Sequence, residues 1–334
     1  MKWITGRTAS VRMALVTCAA LAIASATSGA AAGRVRVASA AEKQSATGGA
    51  VIRSEADLVV LPVSVIDSHG HFVPGLKEAD FHVYDDGKPQ QITLFMDTDS
   101  PATAGLLIDC SSSMKENREK VVEAAKDFLG SSNPQDEMFV VNFNQTPEFG
   151  LPPEVGFTSD VSQLQAAVQS GPSEGMTALY DAIGLGLRQL ARGDNQKKAL
   201  IIISDGGDDA SLQKLKKTLA GIQQSSTIIY TIGIVASDQA DVNPGVLRKL
   251  AEQTGGQAYF PKRAEQLPGI CQQIARDLRA QYTIAFLPPG NGRNGVYRKI
   301  RVAVKAPGRH GLKVRTRAGY LAQAKASANA WPGL

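Results

Sequence analysis

From position 102 onward, apolar positions fall into short runs that alternate with helical stripes. Positions 104–108 form a continuous apolar run of strand length, the mark of a strand buried on both faces. Positions 115–129 follow with Val121, Val122, Ala125, Phe128 and Leu129 on one helical face. The alternation continues with a strand at 137–143, a short helix at 161–168 and a helix at 177–191. Then come a strand at 198–204, a helix at 212–224, a strand at 227–235, a helix at 246–253, a short strand at 257–260 and a last helix at 264–281. Strands and helices in this order predict an α/β fold with a doubly wound, mostly parallel sheet.

On both sides of this region the period changes to two. Positions 58–66 are rich in β-branched residues, and Pro62 implies an edge strand. A turn follows at Asp67-Ser68-His69-Gly70. Phe81 and Val83 then alternate with His82 and Tyr84, and Asp86-Gly87 turns the chain towards Ile92 and Leu94. After position 281, Tyr282, Ile284 and Phe286 alternate with small or polar residues. Ile300, Val302 and Val304 alternate with Lys299, Arg301, Ala303 and Lys305; Leu312, Val314 and Thr316 alternate with Lys313, Arg315 and Arg317. These predict three half-buried strands, with lysines and arginines on the outer faces of the last two.

The flanks complement each other in charge. Residues 54–99 hold nine acids against Lys77 and Lys88, whereas residues 291–325 hold ten Lys/Arg and no acid. Each flank alone is too small to bury much core. They are therefore expected to form one β-sandwich-like module, with the α/β domain inserted between them.

The first residues are not read as fold. Lys2, Arg7 and Arg12 precede an apolar run at 13–24 that ends in Ala24-Ser25-Ala26, the pattern of a secretory signal peptide. The run is shorter than the roughly 20 residues that span a bilayer. Residues 27–53, rich in Ala, Ser and Gly, read as a flexible linker. The expected division is a signal peptide at 1–26, a linker at 27–53, an N-terminal β segment at 54–99, the α/β domain at 101–281, a C-terminal β segment at 282–321 and a tail at 322–334. Losing three cations with the signal takes the formal charge from +5 to about +2, so overall basicity is weak support for nucleic-acid binding. Only Cys110 and Cys271 then remain, too few for a disulfide framework, and they are expected as packed thiols.

The candidate chemistry lies where strands end. Asp109, Ser111 and Ser113 occupy the loop leaving the 104–108 strand, the position where open α/β sheets bind ligands. A carboxylate and two hydroxyls are hard oxygen donors of the kind Mg²⁺ prefers. The same residues would also serve if Asp109 only ended a strand and Ser113 only capped a helix. Two later stretches add to the set. Thr177 opens the helix at 177–191, and the apolar run at 200–203 leads into Ser204-Asp205-Gly206.

The combination D-x-S-x-S, then Thr, then a strand-ending Asp-Gly resembles the von Willebrand factor type A domain with its metal-ion-dependent adhesion site. All five positions of that site are matched, by Asp109, Ser111, Ser113, Thr177 and Asp205. The resemblance implies that Ser111 and Ser113 ligate a divalent cation directly, Thr177 directly or through water, and that Asp109 and Asp205 mostly hold bound waters. Mg²⁺ is expected, with Mn²⁺ or Ca²⁺ possible at such a site. An open position would take an Asp or Glu carboxylate of a protein partner. Asp208 and Asp209 stand nearby and are expected to cap the helix that follows. Across residues 54–321 the order also resembles an acidobacterial type of von Willebrand factor A-related secreted protein. That likeness rests on Val73-Pro74-Gly75-Leu76, Asp80-Phe81, Asp86-Gly87-Lys88-Pro89-Gln90 and Arg317-Ala318-Gly319-Tyr320.

Other chemistries fit less well. Gly171-Pro172-Ser173-Glu174-Gly175 matches G-x-S-x-G, and Ser173, Asp205 and His310 run in hydrolase order, but a helix rather than a strand precedes the motif. No P-loop or zinc pattern occurs. His69 and His71 lack a third ligand and read as surface histidines. The expected role is an exported, non-enzymatic module, periplasmic, envelope-bound or extracellular, that binds acidic protein side chains through a cation. No nucleic-acid partner is expected, nor a membrane anchor once the signal is cleaved. The alternative is a structural envelope protein without a metal-switched ligand.

Overall fold

A computed structural model describes residues 58–322 apart from 98, 173, 235–242 and 290–295. The stretches read as signal and linker, nearly all of the expected tail and Ser173 therefore lie outside the described residues. The elements in chain order are β1 (Val59–Ile66), β2 (Phe81–Asp85), β3 (Lys88–Gln90), β4 (Ile92–Met96), β5 (Ala102–Asp109), α1 (Arg118–Ser131), β6 (Glu137–Phe143) and β7 (Pro147–Phe149). They continue with α2 (Val161–Gln169), α3 (Leu179–Leu190), β8 (Lys197–Ser204), α4 (Leu215–Gln224), β9 (Ile228–Gly233), α5 (Pro244–Thr254) and β10 (Ala258–Tyr259). The last are α6 (Leu267–Ala280), β11 (Tyr282–Phe286), β12 (Tyr297–Val304), β13 (Lys313–Arg315) and β14 (Gly319–Leu321).

The apolar runs become a six-stranded sheet in the order β10-β9-β8-β5-β6-β7. All its pairings are parallel except that of β7, an antiparallel edge strand. β5 lies between β6 and β8, and every one of its residues is buried. Gly105 is needed there, because a Cβ would stand 2.4 Å from the ring of Phe139. The chain leaves β5 for β6 on one side and later returns to β8 on the other. The strand order thus reverses at β5/β8, and the crevice at such a reversal is the usual ligand position in open sheets. Helices flank the sheet, α1 packing on α2 and α6, and α3 on α4.

Strands from both flanks share two antiparallel sheets, ordered β13-β1-β11-β4 and β14-β12-β2-β3. Their inner faces meet in one apolar cluster, with Phe81 against Phe95 and Tyr282, and Phe286 against Tyr320. The opposite charges meet as expected: Arg298 of β12 pairs with the buried Asp85 of β2 at 2.8 Å, and the Tyr320 hydroxyl donates to the same carboxylate at 3.0 Å.

Expectations about the flanks change in several places. β1, read as an edge strand from Pro62, lies between β13 and β11, with β13 pairing only its residues 64–66. Ile92 and Leu94 do not continue the strand that follows Asp86-Gly87 but form β4 beside β11 in the other sheet. β11 is buried on both faces rather than half-buried, since its small residues Thr283 and Ala285 are covered as well. Arg315 does not face outward: it reaches the buried Asp277 of α6 at 2.6 Å. Arg317 is also buried, donating to the carbonyls of Gly319 and Gln223. Among the described residues no helix is long and apolar enough to cross a membrane.

Candidate functional site

Three loops meet at the carboxyl ends of β5 and β8. Asp109 ends β5 with no solvent exposure. Its Oδ1 accepts from the Ser111 N–H at 3.0 Å, and its Oδ2 accepts from the Ser204 hydroxyl at 2.6 Å. Burial is the largest influence on this carboxyl and pushes it up to about 6, with the charge of Asp205 adding in the same direction. The hydrogen bonds from Ser111 and Ser204 oppose the rise. Among the described residues no Lys or Arg pairs with Asp109.

The loop after β5 does not enter α1 directly. Positions 112–117 form a 3-10 turn and α1 begins at Arg118, three residues later than expected. Within this turn the Ser111 and Ser113 hydroxyls lie 3.0 Å apart, so neither is spent on capping α1. The Ser112 N–H donates to the Gly175 carbonyl, and the Gly175 N–H donates to the Ser112 hydroxyl, both at 3.0 Å. This pair of bonds ties the first loop to the one that carries Thr177.

Thr177 precedes α3 instead of opening it, because its backbone is bonded across the site. Its N–H donates to Asp209 Oδ1 at 2.7 Å, and its carbonyl accepts from the N–H groups of Asp209 and Ala210 at 3.0 Å. Asp208 accepts from the Tyr180 N–H at 3.1 Å and the Ser211 hydroxyl at 2.5 Å. Asp208 and Asp209 thus hold the start of the preceding helix α3, not the following helix α4, which begins late at Leu215. Asp181 returns the clasp by accepting from the N–H groups of Leu212 and Gln213.

Asp205 leaves β8 mostly buried, with one oxygen accepting from the Gly207 N–H at 2.9 Å. Gly206 has φ 87°, and a Cβ there would stand 2.6 Å from the Asn243 carbonyl oxygen. Only glycine allows that turn and that approach. Asn144 braces the third side: its carbonyl accepts from the Ala178 N–H at 2.7 Å, and its side-chain amide donates to the Glu174 backbone carbonyl at 3.0 Å.

Ser204 and Asn144 are site residues that the sequence reading missed. Ser204 could have been noticed as a hydroxyl beside the strand-ending Asp205; Asn144 carries no local signal. Among the described residues, no three His, Cys, Asp or Glu side chains converge as a metal site. Any cation here depends on the hydroxyls.

The hydrolase reading gains no geometry. Ser173 is outside the described residues, α2 and not a strand leads into its motif, and His310 is exposed beyond β12. Cys110 and Cys271 are free and buried, and burial pushes their thiols up to about 11 and about 12.

The model of the von Willebrand factor type A domain family matches residues 105–273, half of the chain. The protein belongs to this family. Solved structures of low identity are similar to this chain. A von Willebrand factor type A protein from Catenulispora acidiphila is 15% identical, with 81% of this chain and 76% of that one covered and a TM-score of 0.49. The type A domain of the type V pili tip protein Mfa5 from Porphyromonas gingivalis is 12% identical, covering 53% of this chain and 94% of that one, with a TM-score of 0.45. Proximal thread matrix protein 1 from the mussel byssus, whose structure has a zinc-occupied adhesion-site motif, is 16% identical; 57% of this chain and 48% of that one are covered, with a TM-score of 0.46. Among curated proteins none matches the chain.

Proposed function

We propose that this protein is an exported, metal-dependent binding module that captures an acidic side chain of a protein partner. Asp109, Ser111, Ser113, Thr177 and Asp205 would hold the cation. The observation that carries the reading is the hydroxyl pair of Ser111 and Ser113, 3.0 Å apart, beside the buried Asp109, which no Lys or Arg among the described residues pairs. Adjacent ligands of an octahedral Mg²⁺ at about 2.1 Å lie about 3.0 Å apart, and the six to eight oxygens around Ca²⁺ also accept such a spacing. The donor set therefore suits Mg²⁺ first, with Mn²⁺ or Ca²⁺ as alternatives. The two hydroxyls stand side by side at the spacing adjacent ligands would have.

The bound cation would supply an electrophilic position open to an external carboxylate. The chain's own residues orient that position. Ser204 fixes one oxygen of Asp109, the Ser111 N–H fixes the other, and Asp209 fixes the backbone that carries Thr177. Two carboxylates balance a divalent charge, and the hydroxyls add none, which leaves the cation able to bind a further anion. Family membership supports an interaction module rather than an enzyme, and the pattern of residues 1–26 supports export.

Calorimetric titration of the full chain with Mg²⁺ and Mn²⁺ tests this. The wild type is expected to show one site. Asp109→Ala and Asp205→Ala are expected to lose it while keeping the far-UV spectrum. Equal titration of wild type and both variants would overturn the assignment.

A further inference from the structure

We propose a second binding site, away from the metal loops, for an oxyanion-bearing ligand with an apolar body. It is a cleft of about 810 Å³ between the loop after β1 and the outer face of α6. That volume lies within the roughly 300–1,000 Å³ usual for small-molecule sites.

Each wall is built for this position. On α6, Cys271, Ile274 and Leu278 face the core. Gln273, Arg276 and Arg279 recur every three residues on another stripe and line the cleft. The opposite wall is a tight turn organised by Asp67. One oxygen of Asp67 accepts from the N–H groups of His69 and His71 at 2.8 and 2.9 Å, and the Asp67 N–H donates back to the His71 carbonyl at 2.9 Å. Gly70 allows the turn with φ 85°. The two exposed imidazoles are thereby held nearly parallel, with centroids 6.1 Å apart.

The chemistry of the lining selects the ligand. A guanidinium presents a planar fork of N–H donors that matches carboxylate, phosphate or sulfate oxygens. Arg276 is exposed and has no ion-pair partner among the described residues. Arg279 is positioned by Asp99 at 2.7 Å. Imidazole N–H groups and the Gln273 amide are further donors. Asp67 Oδ1 is engaged by the N–H groups of His69 and His71, and its Oδ2 lies 3.9 and 3.6 Å from their Nδ1 atoms, which leaves the Nε2–H groups as the imidazole donors; Asp99 is engaged by Asn133 and Arg279. Phe72, Pro74 and Ala280 complete the lining with apolar surface. A bare inorganic anion would leave that surface unused.

The test uses the full chain in metal-free buffer, so its outcome is independent of the proposed cation site. With only four histidines in the sequence, imidazole nitrogen NMR can follow His69 and His71 individually. Phenyl phosphate, phthalate, pyrophosphate and citrate are the probes. Saturable shifts are expected at His69 and His71, with His82 and His310 as unresponsive references. The aryl anions should saturate at lower concentration than pyrophosphate and citrate, and phenyl phosphate against phthalate distinguishes a phosphorylated from a carboxylated ligand. Arg276→Glu, a change on an exposed side chain, should weaken binding by about tenfold or more. No saturable shift with any probe, or an Arg276→Glu variant that titrates like wild type, would overturn the site. Equal saturation by all four anions would overturn the apolar part of the ligand.

Discussion

Asp109 is the residue on which the site turns, and its burial has a cost in the metal-free protein. Its carboxyl is pushed up to about 6 from an ordinary 3.8. The neutral form is thus favoured in the fold. The associated stability is fully present below about 3.8 and is lost as pH rises through about 6. Two units correspond to about 3 kcal/mol at neutral pH. Asp109→Asn should therefore stabilise the metal-free protein by about 1–3 kcal/mol at pH 7, flatten its stability between pH 4 and 6, and abolish metal binding. Urea unfolding at several pH values checks this; an Asn variant less stable than wild type at pH 7 contradicts it. Asp109, Ser111 and Ser113 were legible in the sequence because they sit on one loop after an unmistakable buried strand. Thr177 and Asp205 stand out in the sequence as a helix-opening hydroxyl and a strand-ending carboxylate, and the family resemblance ties them to the first loop. Ser204 was not legible, because its bond to Asp109 spans 95 positions. The role of Asp209 was misread, since proximity in sequence favours the helix that follows over one reached across the site.

Among elements, α6 carries the join between the α/β domain and the β sheets. It ends at Ala280, and a single buried residue, Gln281, leads into β11. One turn before its end, Asp277 accepts from Ser64 of β1 at 2.8 Å, Tyr230 of β9 at 2.7 Å and Arg315 of β13 at 2.6 Å. Burial still holds the Asp277 carboxyl above its ordinary range, outweighing the charge of Arg315. Removing one partner of such a pair strands the other. Asp277→Ala should cost about 3–5 kcal/mol, read as a lower urea midpoint. A loss below about 1 kcal/mol would show that water satisfies Arg315 and that the junction is not held here. This network explains why Arg315, expected on the outer face of β13, points inward instead. Alternation in the sequence shows which side chains share a face, not which face meets another domain. The same blindness hid the double burial of β11. The parallel strands, by contrast, were readable because burial on both faces needs no knowledge of the partner.

For the whole molecule, two segments far apart in sequence must complete each other. β2 takes β12 as its neighbour, and β1 takes β11 and β13. Charge complementarity between the flanks anticipated this pairing, and the buried Asp85 with Arg298 is its centre. Deleting residues 291–334 should leave positions 59–96 open to protease while the six-stranded domain persists, less stable because Asp277 loses Arg315. Continued protection of 59–96 would contradict mutual support. The two proposed sites lie on different parts of this frame, one at the strand ends and one beside α6, so their ligands can be tested separately. The central claim is that the oxygens of Asp109, Ser111, Ser113, Thr177 and Asp205 hold one divalent cation. Anomalous diffraction from Mn²⁺-soaked crystals of the full chain tests it most directly. A single strong peak within bonding distance of both the Ser111 and Ser113 hydroxyls is the predicted result. A peak elsewhere, or none there at saturating Mn²⁺, would contradict it.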